Sequence, residues 1–379
     1  MRPSFLAFRE LSFARGRFVL MGAVVALVAV LMVLLSGLSV GLVNDGVSGL
    51  QRLPVTSFAF QQDVEKSSAF SRSVVGTEVA KRWAAQPGVA DAAPFGNTLV
   101  NGRSSDGVEV DLALFGIERG SFLEPDVSAG VPLSSDGQVV LAQSADTEGI
   151  ALGDTIVLEP SGQQLKVVGY LDGQHTFGHV DIGYVTLRSW QQAKAGLGDG
   201  EPLPERVLNE ATAVAVRAEA GADPDLAAGD KAAGTTSLTL EDSYGASPGY
   251  TAETSTLQLI QVFLYLISAL VVGAFFTVLT IQRRGEIAVL RALGASKRYL
   301  LMESLLQSVV LLVGSAAAGI AAGLGLGALI SGTEMPFALE AGPIAAATGL
   351  LLVLGVAGAG VAVLRITRVE PLAALGGNR

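Results

Sequence analysis

The chain has 379 residues, half of them hydrophobic, with a mean hydropathy of +0.50 and a net charge of −10. A soluble domain of this size is rarely so apolar, which directs the reading to membrane spans, and the acidic balance argues against a nucleic-acid partner. Cysteine is absent, which excludes a disulfide framework and a thiolate metal site.

The first segment, residues 1–17, is basic. Its string FLAFRELSFARGRFVL sets Phe5, Phe8, Leu11 and Phe13 against Arg9, Arg15 and Arg17, the pattern of an amphipathic helix lying along the inner membrane interface. Residues 18–42 are uncharged and rich in Val and Leu. They are too long for a signal-peptide core, and no small-x-small site follows cleanly, so they read as transmembrane helix 1. Residues 43–256 form a large extracytoplasmic domain. Apolar alternation predicts strands at Val108–Ile117, Val139–Ala142, Thr155–Leu158, Leu165–Leu171, Asp181–Leu187 and Ala213–Arg217. GTEVAKRWAAQPGV predicts a helix over Glu78–Ala85, closed by Pro87-Gly88, and AEAGADPDLAAGDKAAG a weak surface helix or loop.

Residues 257–281, 305–331 and 343–364 are three further uncharged spans, each with the roughly 20 residues that cross about 30 Å of hydrocarbon. Between them lie an inner loop at 282–304 and an outer loop at 332–342, and a tail follows at 365–379. The segments 1–17, 282–304 and 365–379 hold twelve Lys/Arg against four acids, whereas 43–256 has a net charge of −16. By the positive-inside rule both termini are cytoplasmic and the large domain lies outside. The fold class expected is a membrane protein of four transmembrane helices. A large α+β extracytoplasmic domain sits between the first and second, with the flanking helices continuing out of the membrane as a stalk.

None of the spans carries a charge in its middle, which disfavours an ion-driven transporter. There is no G-x-x-x-x-G-K-[S/T], so the chain has no P-loop of its own. Gly319, Gly323 and Gly327 form two overlapping GxxxG motifs, which suit close helix packing, most plainly against the Gly-rich fourth span. In the inner loop, QRRGEIAVLRALGASKRYL at 282–300 sets Ile287, Leu290 and Leu293 on one stripe, rimmed by charge and stopped by Gly294, a short amphipathic helix over Gly285–Leu293. Charge alone does not decide whether anionic lipid or a protein faces this helix.

RRGEIAVLRALGASKRYL after the second span, and VEPLAAL at Val369–Leu375 after the fourth, closely resemble the FtsX/MacB-type (type VII) ABC permease family. GDTIVL…LKVVGYL at Gly153–Leu171 resembles that family's outside domain. The resemblance implies that the inner loop is a coupling helix docking on a separate ATPase subunit, with Arg283, Arg284, Glu286, Arg291, Gly294 and Ala295 as the gripping surface. It also implies that two permease copies pair with two ATPases, which hold the ATP and Mg, so the chain is a transporter subunit and not an enzyme. Members of the family export macrolides, lipoproteins, peptides or haem, or drive a cell-wall hydrolase without cargo.

Short strings narrow this further: FRELSFARGRFVLMG, LSGLSVGL, GYTAE, TEMPF and EPLAALGG resemble the haem-exporting branch. That implies haem as cargo, with no cofactor of the chain's own. Rival readings are a non-transporting mechanotransmission permease that controls an extracytoplasmic protein, and an exporter of peptides, macrolides or lipoproteins. For haem, the candidate contacts are Tyr250 and Glu253, spaced i, i+3 at the entry to span 2, and Glu334, Met335, Phe337 and Glu340 in the outer loop. Tyr and Met are axial ligand types. His175 and His179, in the loop string DGQHTFGHVD, are the only imidazoles and further candidates. Each has a plainer reading: an interfacial turn for Met335-Pro336-Phe337, a membrane-belt residue for Tyr250, and solvated loop histidines.

Overall fold

The computed structural model describes residues 15–282, 289, 294, 296–333 and 335–367. Outside the described residues lie most of the amphipathic leader, Arg283, Arg284, Glu286, Arg291 and Ala295 of the inner loop, Glu334, and the tail from residue 368.

In chain order the main elements begin with helix α1 (Arg15–Gln51), strand β1 (Ser57–Gln61), helix α2 (Val79–Ala84), and strands β2 (Val89–Ser104), β3 (Glu109–Ile117), β4 (Ala129–Gly130) and β5 (Gln138–Leu141). Then come β6 (Thr155–Glu159), β7 (Gln164–Tyr170), β8 (Thr176–Phe177), β9 (Val180–Thr186), helix α3 (Leu187–Lys194), β10 (Ala213–Ala218), helix α4 (Leu226–Ala233) and β11 (Thr235–Thr239). Three long helices follow: α5 (Tyr250–Gln282), α6 (Lys297–Ile330) and α7 (Ala341–Thr367). The chain divides into two units, one of residues 42–254 and one of residues 1–41 with 255–379.

The unit of residues 42–254 is α+β. Eleven of its strands form one mixed sheet in the order β11-β1-β10-β2-β3-β9-β5-β7-β4, with β6 pairing β2 and β7 and β8 pairing β9; Val75–Gly76 and Glu210–Ala211 pair apart from it. The pairs β3–β9 and β5–β7 are parallel. β2 is the spine: its sixteen residues pair β10 first, then β3 along most of their length, then β6. Phe58, Phe70, Phe95, Phe115 and Phe177 are fully buried and meet mostly edge to face, with Phe95 and Phe115 centroids 4.9 Å apart. Such pairs add about 0.5–1.5 kcal/mol each beyond their buried area.

Val47 and Leu50 of α1 are wholly buried in this aromatic core. That explains why α1 runs for 37 residues: about 55 Å of helix, where a bilayer core needs about 30 Å. On the other face Trp190 of α3 lies flat on Gly96 and Gly116, which are register partners across β2 and β3. A Cβ at either glycine would come within 2.4 Å of the Trp190 side chain.

In the other unit, among the described residues, four helices, counting the first part of α1, are long and apolar enough to cross a membrane. Met21 and Val25 of α1 pack with Val272 of α5, Leu312 of α6 and Ala359 of α7. The glycine ridge of α6 faces α1 and not α7. A Cβ at Gly319 would lie 2.3 Å from the Ala26 carbonyl oxygen, and one at Gly323 would lie 2.9 Å from Val33. Close backbone approach is what lipid-embedded helices use where hydrophobic burial gives no drive. The fourth span uses its own glycines elsewhere: Gly358 against Ala269 and Gly273 of α5, and Gly355 against Leu312 of α6.

Gly325, on the same helix as Gly319, has nothing within 4 Å of a modest side chain. The pair gives an internally controlled prediction for the purified full-length protein in detergent. Gly319→Ala is expected to lower thermal stability by about 1–3 kcal/mol, the usual cost of overpacking, and Gly325→Ala to leave the melting curve within error.

Candidate functional site

Strands β8 and β9 are joined by Gly178 and His179 alone. Both residues have positive φ, +59° and +66°, the two-residue hairpin turn whose twist matches that of its strands. Glycine tolerates this conformation, whereas a side chain with a Cβ costs about 1–2 kcal/mol there. His179 is one of two described non-glycine residues with positive φ, so something must hold it.

Two kinds of contact do. The turn is pinned to the end of α1 through backbone and hydroxyl groups. Gly178 N–H donates to the Gly46 carbonyl at 2.9 Å, Thr176 N–H to Ser48 Oγ at 3.0 Å, and the Thr176 and Ser48 hydroxyls lie 2.8 Å apart. Gly49 makes room for the hairpin, since a Cβ there would fall 1.8 Å from Ile182. The imidazole is then held on both sides. His179 Nδ1 lies 2.8 Å from Asp45 Oδ2, and Nε2 lies 3.1 Å from each oxygen of Glu253.

A neutral imidazole has one N–H; only the imidazolium donates from both nitrogens. Burial pulls the His179 pKa down, but the hydrogen bond to Asp45 and the charge of Glu253 outweigh it and hold the group above its ordinary 6.5. Asp45 also accepts from Gln174 Nε2 at 3.3 Å. Tyr250 completes the cluster: the His179 ring and the Tyr250 ring approach the same Gly46 position, and Tyr250 also meets Tyr244, with centroids 6.2 Å apart.

His175 and His179 thus have opposite fates. His175 is buried and not solvated in its loop, because the hairpin presses it beneath Arg52 and Asp172; its Nε2 faces the Asp172 carbonyl at 3.2 Å. Burial, helped by the charge of Arg52, holds its pKa below 6.5 and keeps it neutral. Its Nδ1 has no partner among the described residues. Glu253 and His179 are committed to each other, so neither is assigned to cargo iron.

Asp45 escaped the sequence reading, yet it is the first charge after the apolar run 18–42, and Glu253 is the last before 257–281. The sequence reads at first as lacking a G-x-S-x-G pattern, but Gly245-Ala246-Ser247-Pro248-Gly249 spells one. Ser247 is buried and donates to the Gly46 carbonyl at 3.3 Å, after a 3-10 turn and not a strand, so it carries no nucleophile chemistry.

The other candidates sit in the outer loop. Phe337 is seated in a glycine-lined notch: a Cβ at Gly37 would lie 2.3 Å from its ring, and one at Gly327 3.0 Å from it. Pro336 presses its carbonyl on Gly41, and Ala338 N–H donates to the Gly37 carbonyl at 3.0 Å. Phe337 is therefore an anchor, and Gly327 is its floor. Met335 points away, 54% exposed, into an open depression of about 960 Å³ lined with Gly332, Thr333 and Pro336. Glu340 is exposed just before α7. In the inner loop, Gly294 has a φ of +94°, the left-handed conformation that ends helices, and Ser296 caps α6 by accepting from Tyr299 N–H at 3.2 Å.

The MacB-like periplasmic core domain profile matches residues 5–230, and the FtsX-like permease C-terminal profile matches residues 259–371. The chain belongs to the FtsX/MacB-type ABC permease family. It is 25% identical over 382 residues to a putative hemin transport system permease protein HrtB of Staphylococcus epidermidis, covering 99% of each chain. An uncharacterized ABC transporter permease of Mycobacterium tuberculosis is 24% identical over 386 residues, covering 98% of this chain and 99% of the relative. Among solved structures, it is similar to the extracellular domain of the noncanonic ABC-type transporter YknZ from Gram-positive bacteria. There the TM-score is 0.35 and the identity 16%, with 49% of this chain and 98% of the other covered. The periplasmic region of MacB from Actinobacillus actinomycetemcomitans gives 0.36 and 14%, with 52% and 94% covered. This permease is a membrane protein with an extracellular domain between its first and second spans.

The raised His179 pKa has a consequence for permease stability. A group whose folded pKa exceeds its unfolded value stabilises fully below the unfolded value, and loses that contribution as pH climbs through the folded one. The melting-temperature gap between wild type and His179→Asn is expected to be widest near about pH 5.5 and to narrow by about pH 9. Asparagine is the chosen replacement because it tolerates the left-handed turn.

Proposed function

We propose that the chain is the membrane subunit of an ATP-driven efflux pump whose cargo is haem, taken from the outer leaflet. In this reading two copies pair with two copies of a separate ATPase, both termini are cytoplasmic, and ATP and Mg are bound only by the partner. Arg283, Arg284, Glu286, Arg291, Gly294 and Ala295 form the coupling surface that receives the ATPase motion. What supports haem over other amphiphiles is Met335: a soft thioether, exposed on an open depression that is mainly apolar, on a loop that Phe337 locks in place. Thioether sulfur is an established axial ligand of haem iron. The full-length likeness to permeases named for hemin transport points the same way. The porphyrin stays membrane-soluble throughout. Expulsion then needs no charged pore, in keeping with spans that lack a central charge.

Hemin titration of the purified protein, followed in the Soret band, is expected to show a saturable shift that Met335→Ala weakens about tenfold, equivalent to about 1.4 kcal/mol. A titration curve identical to that of free hemin in detergent would remove haem as cargo while leaving the family assignment intact. In the reconstituted complex, Arg291→Glu is expected to abolish cargo-stimulated ATP turnover while leaving hemin binding unchanged. Turnover at the wild-type level would show that Arg291 does not couple.

A further inference from the structure

Asp45 stands near the end of α1, and Glu253 in the first turn of α5. Each faces His179, and among the described residues neither carboxylate has another cation within ion-pair distance. Arg52, immediately after α1, is turned to the Asp172 carbonyl and to the His175 side. The groups facing the imidazole or its partners are Asp45 and Gln174 on one side, Glu253 and Tyr250 on the other, and Asp181 behind Asp45. Two helix ends with one acid each are thus joined by one removable positive charge.

The two sides of the joint are unequal. The Asp45 contact is shorter, 2.8 Å against 3.1 Å, and Asp45 is further fixed by Gln174. Among the described residues the Glu253 carboxylate has no side-chain hydrogen-bond donor other than His179, and it folds back over Gly249, where a Cβ would lie 2.9 Å from its Oε1. When the imidazole carries one proton, that proton stays on Nδ1 toward Asp45, and the Nε2 lone pair then faces the Glu253 carboxylate. Lone pair and anion repel, so Glu253 is the group released.

We propose that His179 is a proton-held latch that ties the end of α1 to the start of α5 and lets go of Glu253 when it is neutral. The hairpin turn is the body of the latch. It is bound to α1 through Gly178, Thr176 and Ser48, so opening moves α5 and leaves the hairpin in place. The device does not depend on the cargo or on ATP.

The test uses the full chain in detergent, without hemin or nucleotide, with its histidines labelled with nitrogen-15. There are two histidines, so the signal lost in His179→Asn assigns the other. His179 is expected to titrate above 6.5, and Asp45→Asn and Glu253→Gln each to lower that value. Hydrogen exchange of the amides of residues 250–256, corrected for its intrinsic pH dependence, is expected to rise about threefold or more as pH passes through the His179 titration. In His179→Asn the same amides are expected to exchange at the faster rate at every pH. A His179 that titrates at or below the ordinary value overturns the latch, as does exchange that is flat through its titration. If Asp45→Asn fails to fold, Glu253→Gln gives the same reading from the more exposed carboxylate.

Discussion

A helix that leaves a membrane meets water with its backbone satisfied but its apolar side chains unsheltered, and α1 solves this by entering a protein core directly. Val47 and Leu50 replace lipid with Phe58, Phe95, Phe115 and their neighbours. Helix and sheet therefore share one hydrophobic core, and the hairpin that carries His179 can rest on α1 only because Gly49 leaves its flank bare. A larger side chain at Gly49 would lift Thr176 and Ile182 away, and with them the turn that presents the imidazole.

Glycine does similar work in the membrane unit, for a different reason. In lipid, apolar surface is no more content against protein than against acyl chains, so helices gain by approaching closely. Gly319 and Gly323 admit α1, Gly358 admits α5, and Gly37, Gly41 and Gly327 together form the notch that takes Pro336 and Phe337. The outer loop is therefore rigid where it is anchored and open at Met335, an arrangement that presents one thioether without burying it.

Much of this was readable from the residues. The spans announce themselves by length and lack of charge, and the strands β3, β5, β6, β7, β9 and β10 by alternation. β1 was missed because SFAFQ is buried on both faces for four residues and so does not alternate. β2 was missed because Pro94, Gly96 and Gly102 interrupt its apolar pattern; Gly96 is there for Trp190, a contact made from α3 far along the chain. The polar TTSLT of β11 hides its role as the partner of β1. The notch that seats Phe337 was not legible because its glycines, Gly37 and Gly327, come from two other helices. Asp45 was overlooked because one acid near an apolar run looks like a solvated cap until His179, 134 residues away, is seen against it.

The choice of histidine at that point carries its own argument. Two acids flank the two apolar runs, in a domain with a net charge of −16, so the helix ends they mark would repel if left alone. An arginine between them would join the helices as well, and bidentately, but it would never release them, since its guanidinium does not deprotonate in proteins. A glutamine would neither attract nor switch. Glycine would relax the left-handed turn and hold nothing. Histidine alone gives a cation near neutral pH that can be withdrawn, and it does so from a backbone conformation that disfavours it. The fold tolerates that local cost at residue 179 because Asp45 and Glu253 engage both ring nitrogens, so the strained turn and the doubly held imidazole are two aspects of one arrangement.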